Sequence, residues 1–191
     1  MGIMPSRLKI EEWIILDRLA DVILANVDGC IVDIGIGSST KVLIKYAKKF
    51  NVQHYSCDIN VKKCEWARRV GCKVFEGKSL YFIKEFNDFP ALVFIDGEHL
   101  YETVKQEVEF FLPLLSYGGV IFLHDTNPPE RYKSNNGKGC GDVYKIIQEL
   151  EKDKNLQIFT WPYTAAECGL TMIMKKNFIE NNNWRKNHGQ S

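Results

Sequence analysis

The sequence has no apolar run near the ~18 residues that a membrane span needs. Residues Met1 to Pro5 lack the charged region and apolar core of a signal peptide. Charge of one sign is also missing: 25 Lys+Arg stand against 24 Asp+Glu, a formal net charge of +1. No large basic field exists to draw in a phosphate backbone, which argues against a dedicated nucleic-acid binder. The six cysteines (Cys30, Cys57, Cys64, Cys72, Cys140, Cys168) form no C-x-x-C pair, so zinc-ribbon and thioredoxin readings fail. The expectation is a cytoplasmic protein with reduced cysteines, several of them core packing. No internal repeat is visible.

What remains is an ordinary globular mix, 45% apolar and 26% charged over 191 residues. We read it as a single domain, 1–191. A domain of this size buries roughly 70% of its chain's surface and needs no disulfide staples. Helix and strand alternate along it. Residues 6–26 carry Leu8, Trp13, Leu16, Leu19, Val22 and Ile23 at helical spacing, with Ser6 as a candidate N-cap. Strands are expected at 30–34, 52–58, 72–75, 91–95, 120–123, 156–161 and 170–174. Helices are expected at 40–50, 61–70, 80–86, 101–115 and 142–152. Asn60 is placed to cap the 61–70 helix and Gly71 to end it. Residues 126–141 read as a long polar loop, functional or mobile. The tail 176–191 reads as flexible. The alternation implies an α/β fold with a mostly parallel, doubly wound sheet. The last two strands are too close in sequence for a crossover, so they pair antiparallel.

Ligands in such sheets bind outside the carboxyl ends of the strands. The residues there are Asp33, Gly35, Gly37, Ser38, Ser39 and Thr40 after the first strand, and Asp58 after the second. Glu76, Gly77, Lys78 and Ser79 follow the third. Asp96, Gly97, Glu98 and His99 follow the fourth, and His124, Asp125 and Thr126 the fifth. Acids and two histidines converging on one rim exceed what polar capping alone requires. Gly35 and Gly37 between a strand and a helix let a ligand approach the backbone and reach free N–H groups. Asp58 stands where an acid binds ribose hydroxyls, which points to an adenosine-like cofactor; the bland alternative is a tight turn with a capping Asp. Thr40 occupies the third-glycine position of a dinucleotide loop. Asp33 beside that loop would repel a pyrophosphate and attract the sulfonium and ammonium of S-adenosylmethionine.

With these motifs the chain resembles a class I S-adenosylmethionine-dependent methyltransferase. The resemblance is to a small bacterial and archaeal branch, and it rests on Phe94-Ile-Asp-Gly-Glu-His-Leu-Tyr-Glu102 and Pro113-Leu-Leu-Ser-Tyr-Gly-Gly-Val-Ile-Phe-Leu-His-Asp-Thr126. It covers residues 28–175 and implies a Rossmann-like sheet of seven strands, order 3-2-1-4-5-7-6, with strand 7 antiparallel. It implies cofactor contacts by Asp33, Gly35, Gly37, Ser39, Asp58, Gly77, Lys78, Ser79 and Asp96. Two positions depart from the branch: Ser39 replaces a third glycine, and Lys78 replaces an Asp near the adenine.

Methyl transfer to a hydroxyl needs a positioned acceptor and a place for its proton. His124 or His99 with Asp96 could supply general-base chemistry. Alternatively, as in related Mg²⁺-dependent O-methyltransferases, Asp96, His124 and Asp125 could hold Mg²⁺ or another divalent cation, although His124 replaces an oxygen ligand. A third reading gives the histidines only a loop-organising role. Arg131, Tyr132 and Lys133 either touch the acceptor or ride on a flexible loop. His54 and His188 receive no role, and Trp13, Phe110, Phe111 and Trp161 are read as packing. The expected partner is a small-molecule acceptor, without nucleic acid or membrane; a homodimer is compatible with this reading. The competing functions are a NAD-dependent oxidoreductase and a non-catalytic cofactor-binding domain.

Overall fold

The computed structural model of the chain describes residues 9–162 and 168–176. Ser6, the side chain of Trp13, and the tail with Trp184 and His188 lie outside the described residues. The strands are β1 (Cys30–Ile34), β2 (His54–Asp58), β3 (Lys73–Glu76), β4 (Pro90–Ile95), β5 (Val120–His124), β6 (Leu156–Trp161) and β7 (Leu170–Lys175). They form one sheet in the order β3-β2-β1-β4-β5-β7-β6. β1 to β5 run parallel, and β7 pairs antiparallel with both β5 and β6. The helices are α1 (Lys9–Asn26), α2 (Ser38–Phe50), α3 (Val61–Val70), α4 (Ser79–Glu85), α5 (Tyr101–Leu114) and α6 (Tyr144–Leu150). Among the described residues, no helix is long and apolar enough to cross a membrane.

Each face of the sheet has its own core. On one face Val32, Val93 and Ile121 meet Phe82, Val108, Phe111 and Ile146 from α4, α5 and α6. On the other, Ile31, Leu92 and Phe122 meet Leu16, Ala20, Leu43 and Tyr46 from α1 and α2. β4 lies between these layers with all six residues buried, as its unbroken apolar run requires. Asn60 caps α3, its side chain accepting from the Lys63 N–H at 3.2 Å. Gly71 ends that helix at φ +110°.

Three expectations change. Val22 is 62% exposed, and the buried stripe of α1 is Leu16, Ala20, Ile23 and Leu24. The loop after β5 is folded rather than structureless. It contains a 3-10 turn at Glu130–Tyr132, and Cys140 N–H donates to the Tyr132 carbonyl at 3.1 Å. The cysteines are not all reduced: Cys140 and Cys168 are joined by a disulfide across 28 residues, Cα atoms 6.4 Å apart. The loop's fold back toward the start of β7 brings them together, while Cys30, Cys57, Cys64 and Cys72 are free and buried.

Candidate active site

Strand order reverses between β1 and β4, and a cavity of about 410 Å³ opens beside that point. Ile34, Gly35 and Cys57 line it from β1 and β2; Asp58, Asn60, Lys63, Gly77, Lys78 and Ser79 from one side; Asp96, Gly97 and Glu98 from the other. Its size is within the range of small-molecule and cofactor sites.

The loop after β1 is shaped by close backbone approach. Gly35 has φ +92°, and a Cβ there would lie 2.0 Å from the Asp96 carbonyl oxygen. Asp33 is fully buried and does not line the cavity. Its carboxylate accepts from the Ser39 hydroxyl at 3.1 Å and from the Thr40 hydroxyl. Thr40 Oγ1 in turn accepts from the Gly37 N–H at 2.9 Å. Burial pushes the Asp33 carboxyl up to about 7. Asp33, Ser39 and Thr40 thus brace the loop from behind. Gly37 and Ser39 likewise stand outside the cavity lining.

Asp58 does line it, at the carboxyl end of β2. One carboxylate oxygen accepts from the Ile36 N–H at 2.9 Å and from Lys63 Nζ at 3.1 Å; the other accepts from the Asn60 N–H at 2.8 Å. These bonds orient the carboxylate along the cavity wall and neutralise part of its charge. Gly77, Lys78 and Ser79 follow on the same wall.

Two histidines and two carboxylates meet where β4 and β5 end. His99 Nε2 lies 3.3 Å from Asp96 Oδ1 and 3.3 Å from Asp125 Oδ2. His124 Nδ1 lies 3.1 Å from Asp96 Oδ1 and 3.2 Å from Asp125 Oδ1. Burial alone would raise the Asp96 carboxyl, but His124 and His99 beside it hold it well below the usual carboxylate range. His99 is raised, chiefly by its bond to Asp96 and against its burial. Its Nδ1 faces the Gly139 carbonyl at 2.7 Å, which fixes the ring and points Nε2 toward the carboxylates. Asp125 takes a left-handed φ of +60°, uncommon for a residue with a side chain and typical of functional corners.

Arg131, Tyr132 and Lys133 do not reach the cavity. Arg131 stacks on Tyr132, and Lys133 bonds Glu130 at 2.8 Å while covering the Tyr144 ring. Sequence reasoning missed Asn60 and Lys63 as wall residues; their signal was their place in the turn after β2. It also left His54 unassigned, and His54 is buried 3.9 Å from Asp33, behind the loop.

No curated protein matches the chain at the sequence level. Among solved structures, an O-methyltransferase candidate from Klebsiella pneumoniae is similar with TM-score 0.67 and 16% identity, covering 90% of this chain and 83% of that one. A Podospora anserina methyltransferase bound to S-adenosylhomocysteine has TM-score 0.60 and 17% identity, covering 93% and 100%. An rRNA methylase from Streptococcus thermophilus has TM-score 0.55 and 14% identity, covering 83% and 94%. At these identities the likeness is one of fold. Residues 32–126 match the family described as "Methyltransferase domain". That stretch contains the braced glycine loop, Asp58 and both histidine-bearing strand ends, and together with the shared fold it supports an S-adenosylmethionine-dependent methyltransferase.

Proposed function

We propose that the enzyme transfers the methyl group to a hydroxyl of a small-molecule acceptor bound at the His99–Asp96–His124–Asp125 cluster. The observation that carries this reading is the convergence of both imidazoles on Asp96 and Asp125 within 3.3 Å. His124, with Asp96 and Asp125 beside its Nδ1, takes up the hydroxyl proton as the oxygen attacks the methyl carbon and the sulfonium carbon–sulfur bond breaks, releasing S-adenosylhomocysteine. His99, set between the Gly139 carbonyl and the same two carboxylates, positions them. The cofactor lies along the cavity wall, with Asp58 toward the ribose, Gly77, Lys78 and Ser79 toward the adenine, and Asp96 toward the methionine end. The near-neutral composition favours a small acceptor over a nucleic acid.

Three of these side chains, Asp96, His124 and Asp125, also fit a divalent cation, with one ligand atom of each within 4.8 Å of the others. One imidazole nitrogen beside two carboxylates suits Mn²⁺, Fe²⁺ or Zn²⁺ better than Mg²⁺, which prefers oxygen ligands. Such an ion, held by Asp96, His124 and Asp125, would supply Lewis acidity that eases loss of the hydroxyl proton. Within the protein, Asp96 and Asp125 orient both rings whichever group takes that proton.

The test is transfer of labelled methyl from S-adenosylmethionine to matched hydroxyl, amine and RNA acceptors. We expect turnover with a hydroxyl acceptor, and a fall in kcat of about 100-fold or more in His99→Ala and His124→Ala, with S-adenosylhomocysteine binding retained. Transfer to RNA alone would overturn the acceptor class. Unchanged kcat in both variants would overturn the role of the cluster.

A further inference from the structure

We propose that Cys140, Cys168 and Asp125 form a binding site for a soft divalent cation such as Zn²⁺, and that the disulfide is the oxidised, metal-free form of that site. Three separate segments supply the ligands: the end of β5, the folded loop after it, and the start of β7. The two sulfurs and a carboxylate oxygen of Asp125 lie within 4.8 Å of one another, and all three residues are buried.

The segments are held in place by more than the disulfide. The Asn127 N–H donates to the Cys168 carbonyl at 2.6 Å, and the Thr126 N–H to the Gly169 carbonyl at 3.4 Å. The Cys140 N–H donates to Tyr132 and the Asp142 N–H to the His99 carbonyl at 3.2 Å. Gly141, at φ +58°, packs so closely on His99 that a Cβ would lie 1.7 Å from its carbonyl oxygen. None of these backbone contacts runs through the sulfur–sulfur bond. Two thiolates on a tetrahedral zinc stand about 3.8 Å apart, given zinc–sulfur bonds of about 2.3 Å. Side-chain rotation reaches that spacing from Cα atoms 6.4 Å apart.

Charge makes the cation the natural occupant of the reduced site. Two thiolates beside a buried carboxylate are costly in a dry setting unless paired. Thiolates select Zn²⁺ over harder cations, and three protein ligands leave a fourth position for water. The redox step balances simply. A dithiol reductant gives two electrons and two protons, the Cys140–Cys168 bond breaks, and the reductant closes its own disulfide. Cation binding then displaces the two thiol protons to solvent. Asp125 also contacts His99 and His124, so the site adjoins the methyl-transfer rim through one shared carboxylate.

The experiment titrates the full chain with Co²⁺ and then Zn²⁺ without oxygen, after reduction. We expect one equivalent of Co²⁺ with a thiolate-to-cobalt charge-transfer band, displaced by Zn²⁺. The band should persist in Asp96→Asn, which alters only the neighbouring cluster. It should vanish in Cys140→Ser and Cys168→Ser, with Zn²⁺ affinity falling more than about 100-fold, and after diamide restores the disulfide. No thiolate band in the reduced wild type overturns the proposal. So does a cation whose binding ignores both cysteine variants, and one lost in Asp96→Asn would then belong to the histidine cluster.

Discussion

Gly35 and Asp33 do different work at one bend of the chain. Gly35 is irreplaceable because the Asp96 carbonyl occupies the space of its missing side chain and its φ is positive. Gly35→Ala should cost at least about 1–3 kcal/mol from backbone strain alone, with the clash added to it. It should also push β1 and β4 apart at the cavity floor. Thermal unfolding should show a lowered midpoint, and calorimetry should show weakened S-adenosylhomocysteine binding. Asp33 touches no part of the cavity, yet both its oxygens are used by Ser39 and Thr40. A sequence pattern shows an acid beside a glycine loop; it does not show which way the acid turns. Here the even positions of β1 face the α4–α6 core, and Asp33 faces the other layer.

At the scale of elements, α1 docks on α2 through a buried stripe with charge pairs at its margin. Lys45 bonds Asp17 at 2.8 Å across an exposed edge, which is worth little in water. The stabilisation resides in Leu16 and Ala20, both fully buried. Leu16→Ala should destabilise the fold by about 2–5 kcal/mol, while Asp17→Ala should cost less than about 1 kcal/mol. Denaturant titrations of the two variants check the ranking. Helix 6–26 was legible as a helix from its spacing, but which face it buries depended on where α2 lies. The folded loop after β5 was illegible for a similar reason. Its polar, glycine-rich sequence carries no periodicity, and its shape comes from bonds to Tyr132, His99 and the start of β7.

At the scale of the whole molecule, stability depends on buried groups that the site does not use. Glu107 lies inside α5 with neither oxygen hydrogen-bonded, and burial pushes its carboxyl up to about 7. Asp33 is raised to a similar value, also by burial. Each binds a proton more tightly folded than unfolded, so the folded state loses stability as pH rises from their ordinary range to about 7. His54 works in the opposite sense. Burial lowers it to about 4, so its contribution is complete above its ordinary value of 6.5 and is lost as pH falls toward 4. Glu107→Gln removes one of the two buried carboxyls. We expect it to be more stable than wild type at pH 8 by an amount on the order of 2–3 kcal/mol, with the difference shrinking toward pH 5. Chemical denaturation at both pH values reads this directly, and an equal difference at both would refute the titration as its cause.

The sequence by itself determined the alternation of strands and helices, the reversal of the last strand, and the rim where acids and histidines gather. Those follow from local periodicity, turn residues and connection length, all of which act over a few neighbouring positions. Only the packed molecule shows that Asp33 braces the loop through Ser39 and Thr40, that His99 and His124 share both carboxylates, and that Cys140 meets Cys168. Each of these is a meeting of side chains from separate segments, and its geometry is set by how the sheet twists and where the loops return.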